Sequence, residues 1–133
     1  MSDATERDDM ERGARKRILI AEDSPTAIEV LTRALEPLGH ELIIASDGAD
    51  AERHINEHAP DLLILDIIMP RVNGFQLCRT IRANPALRKL PIIVVTSMDR
   101  ESDRYWGLKQ GADEYLVKPV DPTVLVEKVR AYL

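Results

Sequence analysis

Five short apolar runs, each rich in Ile, Leu and Val, alternate along the chain with longer stretches of mixed polar and apolar character. Runs of four to six such residues predict strands, and the amphipathic stretches between them predict helices, so the pattern is that of repeated βαβ units. The first run, Arg17 to Glu22, is followed by Ser24 and Pro25, which suit an N-cap and a first helical position, and by a helix ending near Leu38 and Gly39. The second is Glu41 to Ser46, after which Asp47 caps a helix reaching about His58. The third is Leu62 to Leu65, ending at Asp66. A Met69-Pro70 loop and Gly74 then lead into a helix from about Phe75 to Ala83.

The fourth run, Pro91 to Val95, precedes Thr96 and a helix of about Glu101 to Gln110. The fifth, Glu114 to Val117, precedes Lys118-Pro119, and Asp121-Pro122 opens a last helix. The expected fold is α/β: a (βα)₅ chain forming a doubly wound, parallel, five-stranded sheet in the order 2-1-3-4-5, a flavodoxin-like arrangement.

Ahead of this pattern, residues 1–16 mix acids with Arg and Lys and show no periodic apolar face, which reads as a disordered tail with the folded domain occupying 17–133. The 133 residues are 44% hydrophobic and 31% charged, enough for one core and one site. No apolar run approaches the ~18 residues that cross a bilayer, so no membrane association is expected. Without a secretory leader pattern, a cytoplasmic setting is the default. A net charge of -5 argues against nucleic acid as a direct partner. The only cysteine, Cys78, shares helical spacing with Phe75 and Ile81 and reads as core packing. His40, His54 and His58 form no HExxH-type pattern and are expected to be solvated, not metal-bound.

Chemistry enters through the strand ends. Glu22 and Asp23, Asp66, Thr96 and Lys118 follow the first, third, fourth and fifth runs respectively. In an open doubly wound sheet the ligand crevice lies outside the carboxyl ends of the strands, where strand order reverses, and strands one and three flank that point. Three carboxylates gathered there repel one another unless a cation compensates, and an all-oxygen donor set matches Mg²⁺. Lys118 adds a fixed positive charge and Thr96 a hydroxyl donor. One acid at a strand end is no more than a cap or a surface charge, but this ordered set points to phosphoryl transfer with Asp66 as nucleophile.

The ordered set Glu22-Asp23, LLILD ending at Asp66, MPRVNG (69–74), Thr96 after PIIVV, Tyr115 and Lys118-Pro119 resembles the receiver domains of two-component response regulators over about Arg17 to Leu133. The run WGLKQGADEYLVKPVD (106–121) is similar, more narrowly, to stand-alone regulators of twitching-motility, or type IV pilus chemosensory, systems. The resemblance implies that Asp66 is the phosphoacceptor for a histidine kinase. It also implies that Mg²⁺ is held by Asp23, Asp66, the Ile68 backbone carbonyl and, through water, Glu22. Thr96 and Tyr115 correspond to a switch pair, with Tyr115 turning inward after phosphorylation, and the Lys118-Pro119 bond is expected to be cis.

The downstream protein partner would then bind the surface of the fourth helix, fifth strand and fifth helix. Tyr105 and Trp106 lie close to it, either as an exposed anchor pair or with one of them packed on the sheet. Many fast-cycling chemotaxis receivers carry polar residues two positions after the phosphoacceptor and two after the switch hydroxyl. Here those positions are Ile68 and Met98, and slow self-dephosphorylation is expected.

Two other readings are weaker. An aspartyl-nucleophile phosphatase of the haloacid-dehalogenase type needs a general acid, typically an Asp, two residues on, where Ile68 stands. A flavodoxin-like cofactor binder needs small residues and free N–H groups after the first strand, where Glu22-Asp23 stand. A phosphate sink remains as an alternative output, and no independent enzymatic turnover is expected.

Overall fold

The computed structural model describes residues 15–133, and the tail read over residues 1–16 lies outside the described residues up to position 14. Strands β1 (Arg17–Ala21), β2 (Glu41–Ala45), β3 (Leu62–Leu65), β4 (Ile92–Thr96) and β5 (Glu114–Val117) form one parallel sheet in the order β2-β1-β3-β4-β5. Helices α1 (Pro25–Leu35), α2 (Gly48–His58), α3 (Gly74–Ala83), α4 (Glu101–Lys109) and α5 (Pro122–Tyr132) connect them or close the chain. The doubly wound (βα)₅ fold expected from the pattern is therefore present, with the expected strand order.

Successive strand residues point to opposite faces, which divides the core in two. Ile18 and Ile20 of β1, Leu62 and Ile64 of β3, and Ile93 and Val95 of β4 pack with Leu31 and Leu35 of α1 and Leu125 and Val129 of α5. Their neighbours Leu19, Ala21, Leu63, Leu65, Ile92 and Val94 pack with Ala51 and Ile55 of α2 and Leu77, Cys78 and Ile81 of α3. Helices on both faces explain why β1, β3 and β4 read as unbroken apolar runs and not as alternating ones. Each fully buried Leu or Ile contributes about 1.5–3 kcal/mol from burial.

Helix starts follow the chemistry of their caps. The Ser24 hydroxyl accepts from Ala27 N–H, and the Asp47, Asn73 and Asp121 carboxyl or amide oxygens accept from the backbone N–H groups of Asp50, Phe75 and Thr123. Gly39 ends the short 3₁₀ turn after α1 at φ 77, a left-handed conformation that costs glycine little. Arg82 ties two loops at the far edge of the sheet. Its guanidinium donates to the carbonyls of Gly111, Arg88 and Leu90 and to Asp113 Oδ2, and the same carboxylate oxygen accepts from Ile92 N–H.

Three details depart from the sequence reading. Lys16, assigned to the tail, is already tied to the fold: its N–H donates to His40 Nδ1 and its carbonyl accepts from Glu41 N–H. Thr96 is the last residue of β4, not the first beyond it, because it pairs in register with Val117. The stretch read as a loop after Asp66 contains a two-residue ribbon, Ile68–Met69 against Val72–Asn73, closed by a turn with Arg71 at φ 71.

Candidate phosphoryl and metal site

Parallel pairing places Ala21 opposite Leu65, so the residues that follow, Glu22 and Asp66, leave adjacent strands side by side. Asp66 N–H donates to Ala21 carbonyl at 3.0 Å, and Glu22 N–H donates to Ala45 carbonyl at 2.9 Å, which extends the ladder to the edge of the crevice. One carboxylate oxygen from each of Glu22, Asp23 and Asp66 lies within 4.8 Å of the others. Glu22 and Asp66 are buried, while Asp23 is exposed. The convergence read from the strand ends is thus realised.

Lys118 arrives from the end of β5 through a cis bond to Pro119, as expected. Its N–H donates to the Thr96 carbonyl, which places the side chain across the crevice. The ammonium Nζ donates to Asp66 Oδ2 at 3.0 Å and lies 2.5 Å from Glu22 Oε1. That second contact is an ion pair approached off the hydrogen-bond direction, so Glu22 Oε1 is a buried oxygen without a directed donor. Its other oxygen, Oε2, accepts from the backbone N–H groups of Asp23 and Ser24.

Burial pushes the Glu22 carboxyl above its ordinary value of 4.5, with the Asp66 charge adding to the rise, against the pull of Lys118 and of Ser24 N–H. For Lys118, burial acts downward, yet pairing with Glu22 and Asp66 outweighs it and holds the ammonium above its ordinary 10.5. The site therefore contains three acids and one firmly protonated amine. An acid trio with an undirected buried oxygen suits a small, oxygen-seeking divalent cation, so the residues present fit Mg²⁺.

Asp66 Oδ1 accepts from Ile68 N–H at 3.0 Å, which orients the carboxylate and brings the Ile68 backbone beside it. The loop holding Asp66 is seated against α3 at Gly74, where an added Cβ would lie 2.6 Å from Ile67 Cα. Gly74 is read from sequence only as a turn residue; its close backbone approach makes it part of the support of the site. Beside the acids an open apolar hollow is lined by Ile67, Ile68, Met69, Phe75 and Met98 with Asn73.

The Thr96 hydroxyl is buried and accepts from Met98 N–H at 3.4 Å; among the described residues it makes no hydrogen bond to Asp66. Tyr115 differs from its reading. Its ring, expected to turn inward as a response, is already inside at 1% exposure, and its hydroxyl donates to Met98 carbonyl at 2.8 Å. Two features allow this: the carbonyl satisfies the hydroxyl, and Gly107 of α4 leaves room for the ring. Gly107 is missed by sequence reading, although a lone glycine in the helical run Tyr105-Trp106-Gly107-Leu108 is its signal.

The two alternatives for Tyr105 and Trp106 resolve in favour of exposure, at 64% and 48%. Cys78 is buried in the core as expected, and burial pushes its thiol up to about 11. The histidines, expected to be solvated, are only partly so. His40, His54 and His58 are each partly buried, His40 accepts from Lys16 N–H, and His54 and His58 face each other on α2, because residues four apart share one side of a helix. Among the described residues no helix is long and apolar enough to cross a membrane.

Comparison with known proteins agrees with this geometry. Residues 18–130 match the response regulator receiver domain model. Protein PilH of Pseudomonas aeruginosa is 42% identical over 117 residues, covering 88% of this chain and 97% of that protein. Other curated relatives, a DNA-binding response regulator among them, are matched over about half their own length. A putative response regulator from Chloroflexus aurantiacus superimposes with a TM-score of 0.85 at 34% identity, over 89% of this chain and 97% of that one. The Mn²⁺-bound form of response regulator Rcp1 superimposes with a TM-score of 0.74 at 29% identity, over 87% and 90%.

Proposed function

The chain belongs to the response regulator receiver domain family, and from that premise we propose that it is a phosphorylation-controlled signalling switch that takes a phosphoryl group from a histidine kinase onto Asp66. The observation that carries the proposal is the position of the Asp66 carboxylate, within reach of two further acids and hydrogen-bonded to Lys118 Nζ at 3.0 Å.

In this reading an Asp66 carboxylate oxygen attacks the phosphorus of a phosphohistidine, the P–N bond breaks, the imidazole leaves, and an acyl phosphate remains. Lys118 neutralises charge on the phosphoryl oxygens, and the Thr96 hydroxyl donates to one of them. Asp23, Asp66, the Ile68 carbonyl and, through water, Glu22 would hold Mg²⁺, which supplies further neutralisation of the transferring group when bound. Hydrolysis later returns the carboxylate and inorganic phosphate, with no separate substrate turned over.

The output follows from where the switch residues lie. A phosphoryl group on Asp66 draws Thr96 toward it, and the adjoining Tyr115, Met98 and α4 readjust. A full shift from 1:99 to 99:1 needs about 5.5 kcal/mol, which a few charge-assisted hydrogen bonds supply. The exposed Tyr105 and Trp106 on α4 supply anchors for a protein partner on the α4-β5-α5 face. The likeness to PilH and the 106–121 run support a role in a motility-linked chemosensory pathway.

The test is phosphotransfer from candidate histidine kinases with Mg²⁺, followed by capture of proteins that bind only the phosphorylated form. Transfer to the wild type and none to Asp66→Asn is expected. Equal labelling of both would remove Asp66 from the mechanism.

A further inference from the structure

On α2, His54 Nδ1 and His58 Nδ1 stand 3.1 Å apart, with ring centroids 5.0 Å apart and planes tilted by 34°. The pair occupies the end of α2 at the amino edge of the sheet, where the His58 carbonyl accepts from Arg17, the first residue of β1. Asp66 lies beyond the opposite, carboxyl edge, so the phosphoryl site makes no use of these imidazoles.

The surroundings define the protons. Arg53 Nη2, which can only donate, is 3.2 Å from His54 Nε2, so that nitrogen carries a lone pair and the neutral ring holds its proton on Nδ1. The proton then points at the lone pair of His58 Nδ1. A cation held by both Nδ1 atoms sits beside the N···N line, so each ring turns from the hydrogen-bonded pose to aim its lone pair at it. For metal–nitrogen bonds of about 2.0–2.1 Å, a separation of 3.1 Å corresponds to a bite angle of about 95–100°. That is close to the cis angle of square-planar or octahedral coordination.

From this geometry we infer that His54 and His58 form a two-imidazole chelate for a borderline divalent transition ion such as Ni²⁺ or Zn²⁺, with Asp50 as the residue that orients His54. On binding, the His54 proton moves from Nδ1 to Nε2, freeing Nδ1 as a ligand. The new Nε2–H faces Asp50 Oδ1, now 3.6 Å away, once Arg53 Nη2, now 3.2 Å from Nε2, turns aside to keep the two donors apart. A carboxylate behind a ligating imidazole fixes its tautomer and raises its basicity. Arg53 keeps its contacts to Asp50 at 2.6 Å and Glu57 at 3.1 Å, so losing Nε2 as an acceptor leaves it paired. Imidazole nitrogens discriminate against Mg²⁺, which keeps this site separate from the acid trio.

The test is calorimetric titration of the tag-free chain with Ni²⁺, and separately with Zn²⁺, in excess Mg²⁺ to fill the acid site. One ion per chain is expected. His54→Gln and His58→Gln should each weaken binding by more than tenfold while circular dichroism shows an intact fold, and His40→Gln should bind like the wild type. Asp50→Asn should weaken binding about tenfold. Absence of saturable uptake by the wild type, or wild-type affinity in either His54→Gln or His58→Gln, overturns the chelate. Unchanged affinity in Asp50→Asn overturns the orienting role.

Discussion

Gly107 faces the ring of Tyr115 so closely that a Cβ there would lie 2.9 Å from both Cδ2 and Cε2, with Phe75 Cε1 at 3.4 Å. Helix α4 thus meets the sheet through a residue without a side chain, and Gly107 is its one buried residue. The slot for the inward tyrosine exists because the helix gives up its own contact.

Gly107→Ala is therefore expected to push Tyr115 outward. Overpacking costs about 1–3 kcal/mol, and the better helix propensity of Ala returns up to about 1 kcal/mol, so the net loss of stability is small. Burial pushes the Tyr115 hydroxyl up to about 12. Spectrophotometric titration should show one more tyrosine ionising near its ordinary value of 10 in the variant. An unchanged titration would mean that the ring stays inside and α4 moves instead.

Self-dephosphorylation should be slow. Ile68 and Met98 line the hollow beside Asp66, and neither can orient an attacking water. Purified phosphorylated protein with Mg²⁺ and no phosphatase should lose phosphate over minutes or longer, and Ile68→Asn should speed the loss. A half-life of seconds in the wild type would contradict this account.

Divalent-ion binding should stabilise the fold, since a ligand of the native state alone raises stability by mass action. Millimolar Mg²⁺ is expected to raise the melting temperature of the wild type, and Asp23→Asn should abolish most of that rise. Lys118→Ala leaves Glu22 and Asp66 buried without their ammonium, a loss of about 3–5 kcal/mol for a broken buried pair. Mg²⁺ should restore more stability to this variant than it adds to the wild type, as thermal melts with and without the ion would show.

Acid should loosen α5. Lys128, donating at 2.9 Å, is the main reason that the Glu114 carboxyl lies below its ordinary 4.5, and Tyr132 hydroxyl donates to the same group at 2.8 Å. A lowered carboxyl contributes stability that is present above about pH 4.5 and disappears as pH falls through its folded value. Because Lys128 is 40% exposed, the contribution is about 0.5–1 kcal/mol. Urea unfolding of Glu114→Gln should show this deficit at pH 7, and the deficit should shrink as acid protonates the wild-type carboxyl.

Legibility divided along the range of the interactions involved. The strand runs, the caps at Ser24, Asp47 and Asp121, and the chain order of Glu22, Asp23, Asp66, Thr96 and Lys118 are properties of neighbouring residues, and the amino-acid sequence by itself determined them. Propensity, period and capping act within a few positions. Given the strand order, even the meeting of Glu22 with Asp66 could be anticipated, because parallel strands deliver their ends to one edge.

Other relationships were decided by the tertiary structure alone. That Lys118 pairs with Glu22 as well as Asp66, that Tyr115 already lies inside against Gly107, that Tyr105 and Trp106 are both exposed, and that His54 turns toward His58 are outcomes of side-chain packing between elements far apart in the chain or of rotamers chosen by their surroundings. Each depends on distances of a few tenths of an ångström, set when close-packed layers exclude all but one arrangement, and periodicity along a chain carries no information at that scale.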